Sequence, residues 1–304
     1  MSFAHLLHAL RLFLFPPQRL RALLATLGLA ALPALAQAAP VPIVAAENFY
    51  GDLARQIGGA QVRVTSIMSN PDQDPHLFEA SPATARALQD ARIVLYNGAG
   101  YDPWMDELLS ASNSNGRTSI VAADLTGHKA GDNPHLWYAP ATLPAVARAL
   151  TVALSASDPA HRTLFEGNLQ RFIASMRPID AKVAALRARY QSVPVTATEP
   201  VFGYMADAIG LDMRNLRYQL AAMNATEASP ADVAAFEDDL RRRRVRVLIY
   251  NRQADTPATR RMLRIAHDAH VPNISVSETE PPDQTYQQWM LSQLDALDKA
   301  LGTP

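Results

Sequence analysis

Two short stretches of the sequence echo each other. Asp74-Pro75-His76-Leu77-Phe78 and Asn133-Pro134-His135-Leu136-Trp137 share the order acid or amide, proline, histidine, leucine, aromatic. Each follows a polar, turn-rich run. Proline fixes its own φ and restricts the residue before it, so each histidine stands on a stiff loop, with the leucine and aromatic beyond it available to anchor the loop in a core. Neutral imidazole is the commonest side-chain metal ligand. One such histidine would more simply cap a loop or pack in a core. Two matching copies point to His76 and His135 as metal ligands. Carboxylates follow later. Glu199 stands at the end of an apolar run, just before Pro200-Val-Phe-Gly-Tyr204, and Glu278-Thr-Glu280 follows another. The carboxyl ends of parallel strands are where open α/β folds bind ligands. The ordinary readings are an N-capping glutamate for Glu199 and a solvated turn for Glu278 and Glu280.

The remaining histidines are weaker candidates. His128 lies in a glycine-flanked loop and is expected at the surface. His161 opens a long helix, and His267 and His270 sit near a helix end, where they favour the C-terminal dipole. There is no cysteine, so disulfides, thiolate zinc sites, iron–sulfur clusters and cysteine nucleophiles are excluded. There is no His-Glu-x-x-His, no Gly-x-Ser-x-Gly and no phosphate-binding glycine loop. The balance of 28 basic to 29 acidic side chains argues against nucleic acid as a partner.

The elements that must position these residues alternate between strand and helix. Apolar β-branched runs at 41–46, 61–67, 92–97 and 119–123 are separated by helical patterns, among them one opened by Ser81-Pro82. Residues 140–190 show no strand signal. Asp158-Pro159 opens a helical pattern reaching about Tyr190, with Pro178 inside it, where a kink or a break and restart is expected. Strands then return at 193–198, 245–250 and 273–277, with helices at 200–209, from Ser229-Pro230, at 256–270 and at 285–301. Arg92-Ile-Val-Leu-Tyr-Asn97 and Arg246-Val-Leu-Ile-Tyr-Asn251 are near copies. The pattern predicts two similar α/β lobes with parallel sheets, joined by a long connecting helix, with a ligand cleft between them. The expected boundaries are 39–157 for the first lobe, 158–191 for the connector and 192–304 for the second.

Residues 1–38 carry Arg11, Arg19 and Arg21 as their only Lys, Arg, Asp or Glu side chains, then a small apolar run, then Ala36-Gln-Ala38. This reads as a cleavable signal peptide. With no cysteine to acylate, the expectation is a protein free in the periplasm and not a lipoprotein.

Together these features resemble the periplasmic solute-binding proteins of zinc and manganese ABC importers, the cluster A-I family. The resemblance rests on Asp-Pro-His followed by Phe78-Glu79 and Ser81-Pro82, on the second Pro-His-x-Trp, and on the strand ending before Phe202-Gly203-Tyr204, and it extends from Ile43 to Leu301. It implies a four-residue metal site: His76, His135, Glu199 in the third position, and Glu278 in a fourth that is usually aspartate, with Glu280 as the fallback. Glu227, in Glu-Ala-Ser-Pro230, takes a supporting role. The cargo implied is a divalent transition metal, zinc or manganese, and the partner an ABC permease in the inner membrane. Zinc-type members often carry a long His-rich loop before the second Pro-His, but here residues 124–133 hold only His128. The protein is expected to be a monomer and not an enzyme. The alternative is a secreted metallohydrolase using the same ligands, which would need an open coordination position and a nearby general base.

Overall fold

Among the described residues, eight strands form two separate four-stranded sheets, ordered β2-β1-β3-β4 and β6-β5-β7-β8. This computed structural model describes residues 39–303 apart from 73, 74, 76, 77 and 113–115. The signal-peptide expectation for residues 1–38 lies outside the described residues. In the first lobe β1 (Val41–Glu47), β2 (Val62–Met68), β3 (Ile93–Tyr96) and β4 (Thr118–Val121) are joined by α1 (Asn48–Gly58), α2 (Pro82–Asp90) and α3 (Pro103–Ala111), and α4 (Ala122–Thr126) follows. Two helices, α5 (Thr142–Ser157) and α6 (Arg162–Tyr190), lead to the second lobe. There β5 (Pro194–Ala197), β6 (Asp212–Arg214), β7 (Leu248–Asn251) and β8 (Asn273–Val276) alternate with α7 (Gly203–Ile209), α8 (Leu216–Met223), α9 (Pro230–Arg241) and α10 (Pro257–Asp268), and α11 (Tyr286–Leu301) closes the chain. Every strand pairing is parallel. The strand order reverses direction between β1 and β3 in one sheet and between β5 and β7 in the other, and such a switch point opens a crevice at the strands' carboxyl ends.

Local chemistry fixes several boundaries. Ser81 caps α2 in a reciprocal capping box with Thr84, and Thr285 does the same for α11 with Gln288. Four elements carried too little pattern to be foreseen: β6, α3, α8, and α4, which begins inside the expected 119–123 strand. The β6 strand is three residues long and pairs with β5 as an edge. Helices α3 and α8 are short and lie next to glycine- or asparagine-rich turns. Helix α6 does not end at Pro178: it is one helix of 29 residues with the proline inside it. It buries Phe165, Phe172, Met176, Ile179, Val183 and Leu186, and that packing outweighs the one backbone bond proline removes.

The largest apolar core runs from the first sheet into the second. It takes in Ile43 and Leu95, then Trp137, Leu150, Phe172 and Ile179, then Val195, Phe202 and Trp289. Smaller cores fill the opposite face of each sheet, around Val44, Val94 and Met105 in one and Phe236, Leu248 and Met262 in the other. The two lobes are therefore held by shared packing as well as by the long helix.

Candidate metal centre

His135 comes from the first lobe, immediately before a single turn of 3-10 helix, Leu136–Tyr138, whose side chains are all buried. That turn anchors the loop in the core, as the Pro-His-Leu-aromatic pattern requires. Asn97, following β3, holds the loop from below: its Nδ2 donates to the Pro134 carbonyl at 2.7 Å, and its Oδ1 accepts from the Tyr50 hydroxyl at 3.0 Å. The ring of His135 is fully buried, edge-on to Tyr101 and Trp137.

The hydrogen bonds around Asn133 fix which ring nitrogen carries the proton. Asn133 Nδ2 donates to the Pro200 carbonyl at 2.8 Å, which turns its Oδ1 toward His135. That oxygen accepts from the His135 backbone N–H at 3.2 Å and lies 2.6 Å from His135 Nδ1. Nδ1 is therefore the protonated nitrogen, and Nε2 presents its lone pair, the arrangement outer-sphere partners impose on metal-binding histidines. The same contacts explain the Phe202-Gly203-Tyr204 motif. A Cβ on Gly203 would lie 2.9 Å from Asn133 Nδ2, and the Tyr204 hydroxyl donates to the Asn133 carbonyl at 2.7 Å.

His135 Nε2 faces Glu278 Oε2 across the cleft at 3.3 Å, with both side chains almost completely buried. An imidazole lone pair and a carboxylate oxygen so placed both offer electrons to the space between them, and a shared cation makes that arrangement favourable. Tyr101 donates to the same Glu278 oxygen at 3.0 Å. Burial, then the Glu278 charge, pushes the Tyr101 hydroxyl well above the usual tyrosine range, so it stays a donor. Gln253 Oε1 accepts from the Glu278 backbone N–H at 2.5 Å and fixes the loop after β8.

Glu199 follows β5 and is half-buried. It is joined to Glu278 by a residue the sequence reading missed. Asn251, the last residue of β7, donates to Glu199 Oε2 and to Glu278 Oε1, each at 2.6 Å. The echo between Asn97 and Asn251 was the available signal. Glu280 points elsewhere. Asn48 bonds both its backbone N–H and its carbonyl, and its carboxyl lies toward Asp52 and Arg55 beside α1. Glu227 lines a cavity of about 400 Å³ with Glu199, Thr198, Thr226 and Tyr218. His76 lies outside the described residues. Among the described residues no group of three or more His, Asp or Glu side chains is arranged to hold a metal. His128 is half-buried rather than exposed, because its ring packs edge-on against Tyr204 and its Nδ1 meets Thr126 Oγ1 at 2.9 Å.

Two parallel-sheet lobes packed with a long helix bring His135 of the first lobe against Glu278 of the second, the arrangement of a two-lobed binding protein. The chain belongs to the family of periplasmic zinc-uptake complex component A proteins (ZnuA), whose pattern it matches over residues 43–300. It is 21% identical over 284 residues to the manganese ABC transporter substrate-binding lipoprotein PsaA of Streptococcus mitis, covering 86% of this chain and 89% of that protein. It is 28% identical over 186 residues to the manganese-binding lipoprotein MntA of Bacillus subtilis, covering 58% and 60%. Its fold matches the periplasmic zinc-binding protein TroA of Treponema pallidum with a TM-score of 0.74 at 18% identity, over 87% of this chain and all of that one. It also matches the solute-binding protein FpvC of Pseudomonas aeruginosa in complex with Mn2+, with a TM-score of 0.72 at 18% identity over 86% and 98%. The protein is thus the substrate-binding component of a metal ABC importer, with a divalent transition metal as cargo and a membrane permease as partner. It is not a metallohydrolase.

One expectation is corrected. The absence of cysteine suggested a protein that is not a lipoprotein, but the relatives are named lipoproteins. A cysteine count speaks to thioether-linked lipid alone and gives no ground for excluding a membrane-held form. The location outside the cytoplasm stands.

Proposed function

We propose that this protein captures one zinc or manganese ion through His76, His135, Glu199 and Glu278 and delivers it, as a monomer, to an ABC permease in the inner membrane. The lobes that supply the ligands run over residues 39–157 and 192–304, either side of a connector at 158–191. The observation that carries this reading is the buried meeting of His135 Nε2 and Glu278 Oε2 at 3.3 Å, one from each lobe. His76 joins them as the partner copy of the Pro-His loop, and Glu199 through the amide it shares with Glu278. Two imidazoles and two carboxylates suit zinc and manganese alike, and the two negative charges offset the cation's, which makes burial tolerable.

Native mass spectrometry of protein isolated from its own cell envelope tests the reading, with one ion per chain expected. Glu278→Ala should weaken binding by about a hundredfold or more, beyond what outer-sphere changes cost. Glu280→Ala should change it little. The reverse ranking would transfer the fourth position to Glu280, and metal-free protein that binds neither ion tightly would end the proposal.

A further inference from the structure

A second pair of buried acids lies outside the proposed metal centre, between α1 of the first lobe and the loop that follows β8. Asn48 opens α1 and clamps the Glu280 backbone: its Oδ1 accepts the N–H at 3.0 Å and its Nδ2 donates to the carbonyl at 2.7 Å. One helical turn on, Asp52 accepts the Tyr286 backbone N–H at 3.1 Å and Gln56 Nε2 at 2.6 Å, both through Oδ2. The two acids line one cavity of about 390 Å³ with Ser66, Ser69 and Asp283. Glu280 is 5% exposed and Asp52 9%. Burial, then the charge of Asp52, works against ionisation of Glu280. Glu280 Oε2 is buried and meets no hydrogen-bond donor among the described residues, and Ser66 Oγ has no partner there either. Arg55 tempers both acids from the exposed side of α1, but among the described residues it forms no ion pair with either.

We propose that this cavity is a second cation site, which takes a hard divalent ion, calcium by preference, on the carboxylates of Asp52 and Glu280 and the hydroxyl of Ser66. Two acids in one cavity repel each other, and a buried carboxylate oxygen without a donor is costly. A divalent ion between them removes both penalties. The donors on offer are all oxygens, the set that suits calcium, magnesium and manganese and not a metal that seeks imidazole or thiolate. Calcium fits best within that class. It takes about six to eight oxygens in flexible geometry, some of them from water, whereas magnesium demands a near-ideal octahedron. The cavity has room for such waters beside Ser69 and Asp283. The site stands apart from the ligand set above, because Glu278 faces His135 while the Glu280 backbone is clamped against α1. An ion there ties the first lobe to the loop that carries Glu278, and so stiffens the junction beside the cleft.

The test is equilibrium dialysis of metal-stripped full-length protein against calcium, for the parent, Glu280→Gln and Asp52→Asn, with the melting temperature as a second readout. The parent should bind one calcium per chain with a Kd of about 10⁻⁴ to 10⁻³ M, the range of extracellular calcium modules, and should melt higher with calcium than without. Each variant should lose about tenfold or more in affinity, because calcium affinity follows the number of charged ligands. Glu280→Gln keeps the side-chain shape and the Asn48 clamp, and it carries the test should Asp52→Asn fold poorly. One equivalent of zinc, which is directed to the centre at His135, should leave calcium binding as it was. A parent that binds no calcium at ten times that Kd range, or calcium binding that persists undiminished in Glu280→Gln, overturns the proposal. So does displacement of calcium by one equivalent of zinc, which would put the calcium in the cleft.

Discussion

Glu47 ends β1 with its carboxyl fully buried, and among the described residues no hydrogen-bond donor reaches either oxygen. Burial, then the charge of Asp102 beside it, pushes its pKa well above the usual glutamate range. Asp102 itself is raised to about 6 by burial, against the backbone N–H groups of Asn97 and Gly98 that it accepts at 2.7 and 2.8 Å. Glu47 therefore keeps a proton, which it can give to Asp102. The folded protein holds this proton above about pH 4.5, where the unfolded chain has released it, so folded stability is lost as pH rises beyond that point. Glu47→Gln keeps the shape and removes the penalty. Its melting temperature should exceed the parent's by a few degrees near pH 8, at about 2–4 °C per kcal/mol for a chain of this size, and match it near pH 4. A variant that melts at or below the parent at pH 8 would show that Glu47 is not held neutral.

Helix α1 and strand β2 pack closely. Gly58, the last residue of α1, lies where a Cβ would meet Val62 Cγ1 at 2.2 Å and Val62 Cβ at 2.8 Å. Only three residues separate the helix from the strand, so neither can retreat far. Gly58→Ala should cost about 1–3 kcal/mol, the usual price of overpacking, read as a lower denaturation midpoint with an unchanged slope. A neutral result would mean that the Gly59–Gln61 turn can shift. At the same scale, β3 and β7 show one solution used twice. Each is followed or ended by a buried asparagine at its sheet's switch point, and each asparagine braces a part of the site.

At the scale of the molecule, the shared core and the bonds crossing between lobes favour one closed arrangement. Tyr138 donates to the Ser277 carbonyl at 2.7 Å, Tyr286 to the Trp137 carbonyl at 2.6 Å, and Asn48 to the Glu280 carbonyl at 2.7 Å. An ion held by the proposed ligands of both lobes would add to this closure. It should stabilise the protein by about 2.7 kcal/mol at a hundredfold excess over Kd. Its ligands bind only when deprotonated, so the metal-induced rise in melting temperature should shrink from about pH 7 to pH 5. The His76→Ala, His135→Ala double variant should show almost no rise at any pH. A rise that persists undiminished there would make both Pro-His loops structural.

The alternation of apolar runs and capped helices determined the two parallel-sheet lobes and the long helix, because periodicity and capping are local properties. The paired Pro-His loops made His76 and His135 candidate ligands for the same reason: proline stiffness acts within a few residues. What only the tertiary structure decided is which distant groups meet. Glu278 and Glu280 are two residues apart and equally acidic, yet one faces His135 and the other is drawn toward α1 by Asn48. The continuity of α6 through Pro178 depends on packing against elements far along the chain. Asn251 is an ordinary strand-end residue in the sequence. It becomes part of the site because β7 lies beside both β5 and β8, which brings the carboxylates that follow those strands to the two hydrogens of a single amide.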